Sequence, residues 1–207
     1  MRGRGTDPDW GDWAAGEPAR QWAARRPGRV VPVPALGRRD LRGRRVIVGL
    51  PGFGWRSDMR ADEPIVQGSR TYVPVLAEQE WYRAEAEQTE VFAPLVPVER
   101  VWLEEIQPPT SEAPPGADIV SRLVSLDAPP PRDAVPVSTA PSTLGRRVVR
   151  LTEDGEERDL RAVTEPYSSA DGDICVRVAT ELDWYRWAWT GQAPKTMEVP
   201  VHLLWVD

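Results

Sequence analysis

The chain is poor in the residues most hydrolytic and redox chemistry depends on. Its 207 residues include one cysteine (Cys175), one histidine (His202) and one lysine (Lys195), and no asparagine. A single cysteine rules out an intramolecular disulfide framework and so excludes a stapled secreted scaffold. One His and one Cys cannot close a zinc site, and with a lone histidine no Ser-His-Asp order exists to test. No apolar run approaches the roughly 20 residues that span a bilayer, and the N-terminal stretch lacks the continuous apolar core of a secretory signal. The expectation is therefore a cytoplasmic protein with no membrane association, no metal, no cofactor and no catalytic residue.

What is abundant is uneven. Arginine, alanine and proline dominate in a way that a GC-rich coding sequence produces, so arginine alone is a weak sign of anion binding. Residues 1–45 hold eleven Arg against five acids, a net of +6, which leaves −12 for the remainder of a chain whose net charge is −6. An acidic body argues against a primary duplex nucleic-acid binder, because phosphate contacts need a basic face. Nucleic acid enters only as a third reading, through a basic, Trp- and Arg-rich leader at 1–43, largely irregular, that carries Trp10, Trp13 and Trp22. Ten tryptophans in one chain are more informative, since Trp is costly to expose and common at binding anchors.

The chain repeats itself. Glu80-Trp81-Tyr82-Arg83 returns as Asp183-Trp184-Tyr185-Arg186, and residues 72–104 lie on 175–207 without a gap at an offset of 103. Val73, Val75, Glu78, Val96, Pro97, Val98 and Trp102 meet Val176, Val178, Glu181, Val199, Pro200, Val201 and Trp205. Upstream, "GRRVIV" at 43–48 faces "GRRVVR" at 145–150, and "DMRADEP" at 58–64 faces "DLRAVTEP" at 159–166. An internal duplication follows: a first copy at 44–104, a Pro-rich linker at 105–145 with nine prolines, and a second copy at 146–207. Within the linker, Ala117–Leu126 has apolar residues spaced for one helical turn or a short strand.

Each copy reads as about β-β-β-α-β, an α+β unit. A β-branched run follows Arg-Arg, an alternating Asp-x-Arg-Ala segment ends at Glu-Pro, and a second alternating segment follows a glycine. Thr180 with Asp183 is a helix-start signature and Gly191 a natural stop, so Trp-Tyr-Arg falls early in a helix of about ten residues. Val-Pro-Val and Val-Trp-Leu or Leu-Trp-Val then close the copy. A unit of about 60 residues is marginal alone, so the copies are expected to pack as a pseudo-dimer.

Two sets of side chains are candidates for function. The first is the duplicated acid–arginine–aromatic set, in which Asp58, Arg60, Glu78, Arg83, Asp159, Arg161 and Glu181 would line a pocket at the copy–copy interface of an enzyme or small-molecule binder. Its companions Glu63, Trp81, Tyr82, Trp102, Glu165, Trp184, Tyr185 and Trp205 read first as determinants of the fold. The second is "WYRWAWT". Trp187 and Trp189 stand where the first copy has Ala84 and Ala86, and three Trp within six residues spread over more than one helical face. Arg186, Trp187 and Trp189 are accordingly the expected contact with a protein partner, and a non-enzymatic interaction module is the leading reading. "GLPGFGW" at 49–55 lacks phosphate-loop spacing and is absent from the second copy, so it reads as a plain loop. His202, facing Glu99 in the other copy, and Cys175, facing Tyr72, are expected to be structural.

Overall fold

Arg44-Arg45 and Arg146-Arg147 each lead into β-branched residues that favour a pleated surface, and both runs start a central strand. The computed structural model describes residues 25–108 and 128–207. The first copy runs β1 (Arg29–Pro34), β2 (Arg45–Leu50), β3 (Gly54–Ala61), β4 (Ile65–Gln67), β5 (Arg70–Ala77), α1 (Glu78–Glu87), β6 (Leu95–Pro97), a 3-10 turn at Val98–Arg100 and β7 (Val101–Gln107). The second runs β8 (Val135–Pro136), a 3-10 turn at Val137–Thr139, β9 (Arg147–Thr152), β10 (Gly155–Ala162), β11 (Tyr167–Ser168), β12 (Ile174–Thr180), α2 (Glu181–Thr190), β13 (Met197–Pro200), a 3-10 turn at Val201–Leu203 and β14 (Leu204–Val206).

The strands form two similar curled antiparallel sheets, ordered β1-β7-β2-β3-β5-β4 and β8-β14-β9-β10-β12-β11, with β6 on β5 and β13 on β12. The two orders match strand for strand, as a duplicated β-rich unit requires. Among the described residues, five strands precede each of the two helices and two follow it, more than the β-β-β-α-β read from sequence. Pro97 and Pro200 sit just before one-turn 3-10 helices, which split each closing segment into two short strands that serve opposite sides of the curl. The described parts of 1–43 and 105–145 also contain strands: β1 pairs with β7, and β8 pairs with β14. Trp10, Trp13, Trp22 and the apolar stretch 117–126 lie outside the described residues.

Each sheet wraps its own core. Leu41, Val46, Val73, Val75, Val101 and Leu103 fill the first, and Val148, Leu160, Val176, Val178, Leu204 and Val206 fill the second, with no residue shared. The helices end where chemistry dictates. The Thr180 hydroxyl accepts from the Asp183 N–H, and Gly191 closes α2 in the left-handed region at φ 72, where a side chain would be strained. Trp81 and Trp184 take equivalent places in α1 and α2. Each packs over a glycine turn, such that a Cβ on Gly43 would lie 3.6 Å from Trp81 and one on Gly145 3.4 Å from Trp184.

A pseudo-two-fold relates the copies. Val30 and Arg132, equivalent positions at an offset of 102, exchange a pair of backbone hydrogen bonds of 2.9 Å each across it. Both copies also carry the same β-bulge. The β2–β3 register slips between Val46 and Val48, the β9–β10 register between Glu157 and Leu160, and in the bulges Asp58 and Asp159 adopt φ 57 and φ 60. Asp tolerates this left-handed conformation better than most residues, and the bulge re-aims its carboxylate.

Candidate functional site

The carboxylates and guanidiniums picked out by the duplication converge between the two copies. Glu78 and Glu181 open α1 and α2, where the helix dipole favours an acid, and both side chains are essentially without solvent exposure. Arg45 and Arg147 start β2 and β9, and Arg60 and Arg161 follow the bulges.

The hydrogen bonds are reciprocal. Arg60 donates to the Gly43 carbonyl at 2.9 Å and to the Tyr82 hydroxyl at 2.8 Å, while Arg161 donates to Gly145 at 3.0 Å and Tyr185 at 2.6 Å. Each tyrosine then donates across the interface, Tyr82 to Glu181 at 3.0 Å and Tyr185 to Glu78 at 3.2 Å. The two rings stack on the pseudo-axis with centroids 5.4 Å apart. The bulge aspartates also reach across: Asp159 lies 2.7 Å from Arg45, and Asp58 lies 3.3 Å from Arg147 and 3.2 Å from Arg161. The symmetry breaks at Glu104, which binds Arg147 at 3.0 Å and Arg132 at 2.7 Å. Arg45 instead spans both helix-opening acids, 2.8 Å from Glu78 and in contact with Glu181.

Five guanidiniums (Arg45, Arg60, Arg132, Arg147, Arg161) thus face five carboxylates (Asp58, Glu78, Glu104, Asp159, Glu181). Burial opposes ionisation of Glu78, but Arg45, Arg60 and Arg147 outweigh it and hold its carboxyl below the ordinary range. At Glu181 burial prevails and, with the Glu78 charge nearby, raises the carboxyl against the pull of Arg45, Arg161 and Arg60. Burial works against the Arg45 cation, yet Glu181, Glu78 and Asp159 more than compensate and raise it. Burial also raises both tyrosines, helped by Glu181 at Tyr82 and by Glu78 at Tyr185, so the phenols stay protonated and serve as donors.

Six of the seven pocket candidates meet here: Asp58, Arg60, Glu78, Asp159, Arg161 and Glu181. Arg83 does not; it is exposed on α1 and pairs with Glu87 at 3.2 Å. Arg45, Arg132, Arg147 and Glu104 belong to the cluster and escaped the sequence reading, although the Arg-Arg pair at 44–45 and 146–147 occurs in both copies at matching positions. Arg60 meets Glu78 at 3.1 Å rather than its near neighbour Glu63. Glu165 lies elsewhere and caps a turn, accepting from the Ser142 hydroxyl at 2.6 Å, from both the N–H and the hydroxyl of Thr143, and from the Leu144 N–H. Those donors lower its pKa to about 2, the Ser142 bond contributing most. A carboxyl-carbon NMR titration should show Glu165 still ionised at pH 3, and its capping contribution is lost only as pH falls from the ordinary carboxylate range through 2. A Glu165 midpoint above 4 would contradict this arrangement.

Beside the cluster opens a cleft of about 230 Å³ lined by Arg45, Arg60, Glu104, Arg158 and Asp159 among others. Its charged walls are already engaged in ion pairs, Arg45 with Asp159, Arg158 with Asp207 and Glu104 with Arg147, so they serve as part of the joint. Among the described residues no group of three or more His, Cys, Asp or Glu could hold a metal, and no helix is long and apolar enough to cross a membrane. His202 is exposed in a 3-10 turn, and Cys175 is a buried free thiol.

The tryptophan face of α2 is different in kind. Trp184 and Trp187 meet edge to face at 5.6 Å. Trp187 remains 38% exposed, Trp189 is half-buried, and Arg186 is exposed, with only a 3.5 Å contact to Asp183. The class these features define is a duplicated β-rich chain whose copies are joined by a shared ionic cluster. No family model matches the chain, and no curated protein or solved structure matches it either.

Proposed function

We propose that the chain is a non-catalytic protein-interaction module of two tandem copies that binds a protein partner through Arg186, Trp187 and Trp189 on α2. The observation that carries this reading is the exposed Trp187 ring at a position where the first copy has Ala84. Divergence toward a large, half-uncovered aromatic is intelligible where that face meets something the first helix does not. The pairing of the cluster's acids with arginines of both copies supports the same reading, because it gives these side chains a structural task in joining the copies.

Trp187→Ala should weaken partner capture by about 2 kcal/mol or more while lowering the melting temperature less than Trp184→Ala. If Trp187→Ala unfolds the protein as badly as Trp184→Ala, the ring belongs to the core and the reading fails. The cleft beside Arg45, Arg60 and Asp159 favours a second reading, an enzyme or small-molecule binder with an acid/arginine pocket. Ligand-induced stabilisation abolished by Asp159→Asn, in a protein whose Trp187 is dispensable, would select it. Nucleic-acid contact would have to come through the leader 1–43 and would show as salt-sensitive retention lost on its deletion.

A further inference from the structure

The chain has two phenylalanines, and Phe53, at the tip of the β2–β3 hairpin, is 88% exposed. Leu50 and Trp55 beside it are more than a third exposed. The hairpin is built to present them. Gly52 and Gly54 turn the chain at φ 75 and φ 79. Gly49 lets Trp55 lie across β2, for a Cβ there would come within 2.7 Å of the Trp55 ring. Trp55 then meets Trp102 edge to face at 4.8 Å. Between the hairpin and the 3-10 turn lies a groove of about 640 Å³ lined by Leu50, Pro51, Trp55 and Trp102, with Glu99 and Arg100 also in its lining. Both of these charges are exposed, and neither is paired with another described residue.

A large apolar anchor thus projects next to an aromatic groove, and an unpaired acid sits next to an unpaired base. A two-fold contact needs that combination, because the same patch must supply both the projection and its receptor. We propose that the hairpin end of the first copy is a self-association surface for a second copy of this chain. Phe53 of each molecule enters the Trp55–Trp102 groove of the other, and Glu99 of each pairs with Arg100 of the other. The equivalent hairpin in the second copy cannot do the same. It reads Leu151-Thr-Glu-Asp-Gly155, and its flanks are already engaged, Thr152 by Arg25 at 2.9 Å and Glu156 by Gly28 at 2.6 Å. Each molecule therefore has one such patch, and assembly closes at two instead of running on into a filament. Each molecule contributes one hairpin tip and one short turn, a contact of the weak and reversible kind.

This surface is independent of the α2 face, and the experiment keeps them apart. Sedimentation of the full chain from about 1 μM to about 500 μM, a range suited to a weak interface, should move from monomer to dimer mass. Phe53→Asp should raise the dissociation constant at least about tenfold with no change in melting temperature, since the ring touches little within its own chain. Arg100→Glu should also weaken the dimer, and adding Glu99→Arg should restore it by exchanging the pair. Trp187→Ala should leave it unchanged. Monomer mass across the whole range, or a dimer indifferent to Phe53→Asp, overturns the proposal and leaves the groove to a different partner.

Discussion

Glu78→Ala is expected to cost about 3–5 kcal/mol of unfolding free energy, the usual penalty for removing one partner from a buried ionic group. The Glu78 side chain has no solvent exposure and lies 2.8 Å from Arg45, 3.1 Å from Arg60 and 3.2 Å from Arg161. It also accepts from the Tyr185 hydroxyl at 3.2 Å. Its loss strands guanidiniums from both copies at once, so the damage should appear as a weakened joint. Acid acts on the same group with a definite sign. The folded-state pKa of Glu78 is lowered, so its contribution is complete above the ordinary carboxylate pKa and is lost as pH falls through the lowered value. Glu181 is raised, so its ionised form costs stability at neutral pH and protonation relieves that cost. Glu78→Gln should therefore flatten the acid limb of the stability curve, and Glu181→Gln should not. The check is chemical denaturation across pH. A change below about 1 kcal/mol for Glu78→Ala, the size of an ordinary surface substitution, would mean that the copies are held by something other than this cluster.

Trp102→Ala is expected to cost a similar amount, about 3–5 kcal/mol, by opening a cavity. Trp102 is 8% exposed, between Val101 at 1% and Leu103 at 2%, so the first half of β7 is buried on both faces. Its counterpart Trp205 is only half-buried, and Trp205→Ala should cost distinctly less. Equal effects in denaturant titrations would contradict the burial difference. Trp102→Ala also removes the ring against which Trp55 rests, so indole emission should change by more than the loss of one fluorophore.

The parts of this molecule that were legible in the sequence are those where the two copies agree. Glu78/Glu181 and Tyr82/Tyr185 could be paired because the chain from 72 to 104 meets 175 to 207 without a gap, and the limits of α2 follow from Thr180 and Gly191. β1 and β8 were hidden because prolines at 32, 34 and 136 break the usual strand pattern, although an edge strand tolerates them. A signal was there, since Val33-Pro34 and Val135-Pro136 match at an offset of 102, as do the buried prolines Pro27 and Pro129. The role of Arg45 was out of reach for a different reason. Its carboxylate Glu181 is 136 residues away, and charge pairing across such a separation leaves no periodicity to read. The bulges were equally silent, because Asp-x-Arg-Ala alternates like a regular strand until the backbone shows Asp58 and Asp159 in the left-handed region.

The joint of charge between two separate apolar cores has a consequence for how such a protein holds together in dilute solution. Buried ion pairs return little net free energy after desolvation, so two free subunits meeting through this surface would associate feebly. Carrying both on one polypeptide makes their meeting unimolecular, which raises their effective concentration far above that of free subunits in dilute solution. A modest joint then suffices at any dilution, and the one-to-one stoichiometry of the copies is guaranteed by translation. Under that guarantee either half can change a surface residue without the other half changing with it, as Ala84 and Trp187 already show.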